Sequence, residues 1–376
     1  MTKARFDVCV VGAGAMGCQI ALRLQRRGLR VLALDRYEPP HSFGSSHGRT
    51  RVIREAYFEH PLYVPIVQRA YDLWGELEQE TGEQLLTYTG GLMIGSREGV
   101  LVAGALRSAS EHRLRYEELS ADEVRARFPL LNVPPEFTGV YEPRAGFLNP
   151  EKAIAATLAL ARAAGTELRF GERVIACDFD ADPVAVRTTT DAYTAGVLVL
   201  AAGAWTNELI EIEPRLTVAR QPLLWFEPLA RHDLFDPSRF PIFMWESEPD
   251  VIFYGFPKDE RGIKVARHHH GRATTPDQVN RRLEPEDEEV VRRFLSRAIP
   301  DANGPRVDAA ICMYTNTADG NFVIDRLAEN ERVVIVSACS GHGFKFAPAI
   351  GEAVSDLIVD GSTRFDLTPF ALGSRL

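Results

Sequence analysis

The sequence predicts an α/β nucleotide-binding domain written in three separated pieces, with a second domain on a mixed, largely antiparallel sheet inserted between them. Three observations lead there. A strand, a glycine turn, a helix and a second strand open the chain. Buried-type apolar strands of the same kind return at 196–202 and 332–337. Between them lie short aromatic and β-branched segments broken by turn residues. The 376 residues, 45% hydrophobic and 25% charged, suit a globular chain long enough for two cores.

Taken in order, residues 6–11 form a short apolar run that meets Gly12, Gly14 and Gly17 at once. Residues 18–27 read as a helix stopped by Gly28, and 29–34 as a strand ending at Asp35. A polar, glycine-bearing loop follows over 39–50. Val64, Val67, Tyr71, Trp74 and Leu77 recur at helical spacing, the mark of a core stripe. Residues 91–95 read as a strand, and Ser120 with Glu123 as a capping box opening a short helix before Pro129. Asn149-Pro150 starts an Ala/Leu-rich helix that Gly165 stops. Residues 173–176 and 196–202 read as buried strands. From Arg220 the style changes, and 223–226, 241–245, 251–255 and 262–265 suggest an antiparallel sheet. A charged helix over 286–298 and a strand over 332–337 precede a glycine-rich turn. A final helix carries Ile350, Val354, Leu357 and Ile358. The expected division assigns 1–87, 147–217 and 312–376 to the nucleotide-binding domain, and 88–146 and 218–311 to the inserted one.

A net charge of −9 without a basic cluster argues against a nucleic-acid partner. No apolar run reaches membrane-spanning length, and no signal pattern precedes the first strand, so a cytoplasmic, membrane-free protein is expected. Five cysteines (Cys9, Cys18, Cys177, Cys312, Cys339) show no paired or zinc-like spacing, which suits a reducing compartment and no metal. The cations are unusual: five Lys stand against 38 Arg. In such a chain each Lys invites attention, because Lys offers a compact charge whose pKa can be tuned and Arg does not.

Gly12, Gly14 and Gly17 have a direct physical reading. The first permits a tight turn, the second lets backbone approach a pyrophosphate, and the third lets helix pack on strand. The helix N-terminus offers free N–H groups and positive dipole to the phosphates. Asp35 is placed to accept from a ribose hydroxyl, which disfavours NADP but leaves FAD and NAD open.

Further on come Pro39-Pro40-His41, Gly44-Ser45-Ser46-His47-Gly48 and Thr50-Arg51-Val-Ile-Arg54. Near the other end stand Cys312-Met-Tyr314-Thr315 and Ser340-Gly341-His342-Gly343-Phe344-Lys345-Phe346. This set, spread along essentially the whole chain, resembles the family of monomeric sarcosine oxidases and N-methyltryptophan oxidases, closer to the former. The resemblance implies a monomer with FAD in a Rossmann-type domain, linked through a cysteine sulfur to the flavin 8α-methyl, and Cys312 lies in the matching motif. It places Ala13, Ala15, Met16, Ser45, His47, Thr50, Arg51, Val174, Gly343, Phe344 and Lys345 with the glycines and Asp35 at the cofactor. The other four cysteines are expected to be buried, inert thiols.

Oxidising an N-methyl amino acid requires cations for its carboxylate, a neutral amine and a hydride acceptor. Arg54 and Lys345 match the family's carboxylate positions, the one a planar fork, the other a point charge. Tyr254 and His268 match its substrate side, with Tyr314 and Met244 shaping the pocket. His268-His269-His270, read as a strand, would alternate faces and not share a metal. Reduction of O₂ calls for a fixed cation on the other flavin face; Lys264 matches that position, with Arg51 and His47 as neighbours. Ser46 stands where the family pattern has a histidine and Arg49 where it has an acid. Trp245 also departs from it and is expected to alter pocket volume. The implied reaction converts sarcosine or a similar N-methyl amino acid, O₂ and water to the primary amino acid, formaldehyde and hydrogen peroxide. Alternatives are a bulkier or cyclic secondary amino acid (N-methyltryptophan or pipecolate), an FAD dehydrogenase serving another electron acceptor, an NAD enzyme, or a non-catalytic FAD module.

Overall fold

The computed structural model describes residues 5–373. The opening unit forms as the pattern dictates: strand β1 (Arg5–Val11), helix α1 (Ala15–Arg26) and strand β2 (Val31–Asp35). β1 lies parallel between β2 and the strand Ala192–Leu200, and Asn330–Ser337 adds to the far side of the latter, again in parallel. Glu167–Phe170 extends the parallel set beyond β2. Both faces of these strands are covered, which is why they read as continuous apolar runs and not as alternation.

The other large sheet has nine strands. Thr217–Phe226, Gly262–Arg267, Val251–Asp259 and Ile242–Glu248 pair antiparallel in that order, then Ile242–Glu248 meets Gly91–Gly95 in parallel. The fold is therefore the expected α/β unit plus a mixed, largely antiparallel sheet. Arg306–Asn316 pairs with Thr217–Phe226 along its length, so Cys312, opposite Gln221, hangs from this second sheet. That strand runs without a break through the expected 311/312 boundary.

Three details differ from the sequence expectation. The strand near 173–176 is Val174–Asp178, an edge strand in which Val174 alone is buried and Ile175 is half exposed. A small third sheet joins β3 (Arg51–Ile53), Gly146–Leu148 and Leu86–Tyr88. Strands of three residues carry too little periodicity to be read, yet β3 sets the direction of Arg51 and Arg54. Finally, His268 and His269 lie in a turn past the end of Gly262–Arg267, with His269 at φ 51°, so the strand-alternation argument does not apply to them. The helix α2 (Val64–Thr81) buries its predicted stripe, and Trp74 donates to the Lys345 carbonyl at 2.9 Å. Among the described residues no helix is long and apolar enough to cross a membrane.

Candidate active site

One cavity runs from the β1–α1 turn to the face of the second sheet. At its first end Gly12 sits at φ +95°, and a Cβ there would lie 2.3 Å from the Ala201 carbonyl oxygen. Gly14 faces open space and stands at the N-cap of α1. No side chain caps that helix and no acid occupies its first turn, so its N–H groups and dipole are available to an anion. Asp35 accepts from the Ala13 N–H at 2.8 Å and the Tyr37 N–H at 2.9 Å, which clamps the turn to β2. An open glycine, an uncapped helix and a carboxylate in one cleft fit a dinucleotide. Gly12, Gly14, Ala15, Met16, Asp35 and Val174 line this end. Ala13 and Gly17 do not; buried behind the turn, they shape it. Arg36 and Arg173 also line it, though no motif marked them.

Midway, Ser45, Ser46, Thr50, Arg51 and Cys312 meet the cavity. Arg51 donates to the Thr50 and Ser45 carbonyls at 2.8 and 2.7 Å, and its Nη2 reaches Cys312 Sγ at 3.5 Å. The Cys312 thiol is 1% exposed and donates to the Ser45 carbonyl at 3.4 Å. Glu151 steadies the loop by accepting from the Gly48 and Arg49 N–H groups. Of the two departures in this loop, Ser46 faces the cavity, whereas Arg49 turns outward to pair with Asp259 and Glu260.

Lys264 and His47 do not themselves line the cavity. The Lys264 ammonium, 2% exposed, lies behind Thr50, donating to the Gly48 and Thr50 carbonyls and to Thr50 Oγ1 at 2.8–3.0 Å. Burial, then the Arg51 charge, lower its pKa well below the usual lysine value, while three acceptors favour the ammonium. His47 has a buried Nε2 without a partner, and burial with Arg51 pushes its pKa down to about 3.

At the far end Arg54 and Lys345 converge, 1% and 4% exposed. Arg54 Nη2 donates to Glu59 at 2.6 Å and Nη1 to the Ala56 carbonyl at 3.0 Å, leaving Nε without a partner. Burial opposes ionisation of Glu59, but Arg54 beside it holds its pKa below the usual carboxylate value. Burial, then Arg54, bring the Lys345 pKa down to about 7. Met244, Tyr254, His268, Tyr314, Gly343 and Phe344 complete this end. His268 Nδ1 meets the Tyr314 hydroxyl at 3.2 Å, and burial, then His269, keep its ring neutral.

Trp245 corrects an expectation. It faces away from Met244 into the core behind the sheet, against Phe294, and leaves the pocket volume untouched. Cys339 corrects another: it lines the cavity near Cys312 and accepts from the Thr315 N–H at 3.4 Å. Glu59 and His342 line the site without having been marked. His342 sits inside the block at 340–346, which was the usable signal, whereas no motif pointed to Glu59.

A family model described as FAD dependent oxidoreductase matches residues 7–357. The chain is 42% identical over 363 residues to a monomeric sarcosine oxidase of Streptomyces avermitilis, covering 95% of this chain and 94% of that one. It is 34% identical to an N-methyl-L-tryptophan oxidase of Salmonella dublin, with 98% of each covered. Among solved structures, the open form of NikD, an amino acid oxidase essential for nikkomycin biosynthesis, superposes with a TM-score of 0.84 at 26% identity, covering 99% of this chain and 98% of that one.

Proposed function

The chain belongs to the FAD dependent oxidoreductase family, in the group of monomeric sarcosine oxidases and N-methyltryptophan oxidases, and on that premise we propose that it demethylates sarcosine or a similarly small N-methyl amino acid. Sarcosine, O₂ and water give glycine, formaldehyde and hydrogen peroxide. The observation that carries this reading is the meeting of Arg54 and Lys345 at one end of a cavity whose other end has the open glycine turn and uncapped helix that suit a dinucleotide. Bound along that cavity, FAD would supply the two-electron redox chemistry that couples amine oxidation to O₂ reduction. Gly12, Gly14 and the α1 N-terminus would hold its pyrophosphate, and Cys312 would carry the covalent 8α link.

The protein's own groups do the rest. Arg54 Nε and the Lys345 ammonium take the substrate carboxylate, which fixes the amine end toward Tyr254, Tyr314 and His268. Arg51, Arg54 and Lys345 make the pocket electropositive, which lowers the pKa of the bound amine and favours its reactive neutral form. Lys264 sets a fixed positive charge behind Thr50 for the developing negative charge of O₂ reduction. The bulky Met244, Tyr254 and Tyr314 side chains favour a small substrate over N-methyltryptophan or pipecolate.

Anaerobic mixing tests the assignment: sarcosine bleaches the flavin, and readmitted air restores colour with one peroxide per turnover. Bleaching by N-methyltryptophan or pipecolate but not by sarcosine would transfer the reading to the bulkier class. Colour regained with a dye but not with air would make the protein a dehydrogenase.

Two predictions follow from the site itself. Acid precipitation leaves the yellow flavin in the pellet, and Cys312→Ala releases it to the supernatant; colour lost from the unmodified protein would remove the covalent link. Second, kcat rises with pH through an alkaline apparent pKa, because the reacting amine must lose its proton. His268 and His47 are already neutral at pH 7 and add no step of their own. A kcat flat from neutral to alkaline pH would contradict this.

A further inference from the structure

Behind Lys345 lies a chain of hydrogen bonds whose direction is set by its far end. His342 Nε2 meets the Gly320 carbonyl oxygen at 3.0 Å, and a carbonyl only accepts, so Nε2 carries the ring proton. Burial keeps the imidazole neutral at pH 7, its pKa pushed down to about 4, so Nδ1 is the acceptor. The Tyr57 hydroxyl, 2.6 Å from Nδ1, must then donate to it. That turns the Tyr57 oxygen lone pairs toward Lys345, whose Nζ donates to them at 3.3 Å and to the His342 carbonyl at 2.6 Å. Two of the three ammonium protons are thereby committed, and the third is left for the cavity that Lys345 lines.

We propose that Tyr57 and His342 are positioning residues that hold the Lys345 ammonium in its charged form and aim its remaining N–H at the substrate carboxylate. Tyr57 is fully buried and does not line the cavity, so it acts through Lys345. A tyrosine and a histidine buried in a 2.6 Å contact have a plain structural use, yet packing alone does not require the hydroxyl to point its lone pairs at a lysine. The charged and titratable groups facing Lys345 are Arg54, Tyr57 and Glu59 from the segment after β3, His342 from its own turn, and His268 from the turn after Gly262–Arg267. Arg54 opposes the ammonium and Glu59 supports it. His342 and His268 are neutral, so Lys345 is the group expected to titrate near neutral pH.

The proposal rests on the reading of Arg54 and Lys345 as a carboxylate site, and the test separates the two. Flavin-loaded protein is titrated with methoxyacetate, a carboxylate without an oxidisable amine, by the change in flavin absorbance between about pH 6 and about pH 9. Affinity in the unmodified protein falls as pH rises through about 7, as Lys345 loses its proton. Tyr57→Phe removes an acceptor from the ammonium, so this limb moves to lower pH and the neutral-pH affinity falls about five- to tenfold. kcat/KM for the substrate falls by a similar factor, with kcat within about twofold. His342→Gln, which keeps a donor for Gly320 and an acceptor for Tyr57, lies closer to the unmodified protein. Lys345→Met abolishes the limb.

A flavin-loaded Tyr57→Phe with unchanged affinity and limb overturns the proposal, as does a limb that survives Lys345→Met. Should Tyr57→Phe fail to load flavin, His342→Leu removes the hydroxyl's orienting acceptor and must displace the limb in the same direction; an unmoved limb again overturns it. An unmodified protein that binds no methoxyacetate at any pH sinks the carboxylate site and the proposal together.

Discussion

Lys264→Met slows reoxidation of the reduced flavin by about a hundredfold or more, while anaerobic reduction by substrate changes by less than about tenfold. The asymmetry follows from where the charge sits. Lys264 lies behind Thr50 and outside the cavity that holds Arg54 and Lys345, so its loss leaves carboxylate capture intact. O₂ gains negative charge as it is reduced, whereas oxidation of the neutral amine draws on the carboxylate clamp and the flavin. A fixed cation in a dry site stabilises that charge without reorganisation, and methionine matches the unbranched stem of lysine without its terminal ammonium. The substitution also frees the Gly48 and Thr50 carbonyls, so the loop conformation must be checked by the flavin spectrum. Stopped-flow mixing with anaerobic sarcosine and then with aerated buffer measures the two half-reactions separately. Equal slowing of both would show that Lys264 serves the fold of the loop and not the reaction with oxygen.

The lysine count pointed in this direction before any geometry was available. Of the lysines in the described residues, Lys264 and Lys345 are buried, while Lys152 is exposed and Lys258 partly so. A chain that writes its surface cations as Arg leaves Lys where a tunable charge is wanted, and burial exposes that choice. The βαβ unit was legible because Gly12 and Gly17 are forced by contacts only glycine allows, while Gly14 leaves the turn open toward the cavity. Motif position also marked Cys312, Arg54 and Lys345, all of which line the same cavity. What stayed hidden is set by tertiary arrangement. Trp245 follows Met244 on a strand, and adjacent strand residues face opposite ways, so parity alone would have turned it away from the pocket. Tyr57 and His342 are 285 residues apart, and no local pattern announces that their side chains meet. β3 was invisible because three residues cannot show a period, although it aims Arg51.

The clamp at the far end gives the other large effect. Arg54→Gln lowers kcat/KM for sarcosine by about a hundred- to a thousandfold, the usual cost of removing one member of a buried, hydrogen-bonded charge pair. The loss has two parts that can be told apart. The planar donor to the substrate carboxylate disappears, and Glu59, bonded to Arg54 at 2.6 Å, keeps a negative charge lining the same cavity with only Lys345 left to offset it. In the unmodified protein Arg54 holds the Glu59 pKa below its ordinary value, so the pair's contribution to stability is present above that ordinary value. It is lost as pH falls through the depressed folded-state pKa. Without Arg54, burial raises the Glu59 pKa, and acidification neutralises a charge that repels the substrate. Carboxylate affinity in Arg54→Gln therefore improves as pH falls, and Arg54→Gln with Glu59→Gln recovers about tenfold at neutral pH. Titration of the single and double variants with methoxyacetate reads both quantities without turnover. Equal affinities in the two variants at every pH would mean that Glu59 is screened from the substrate, leaving the lost donor of Arg54 to account for the whole effect.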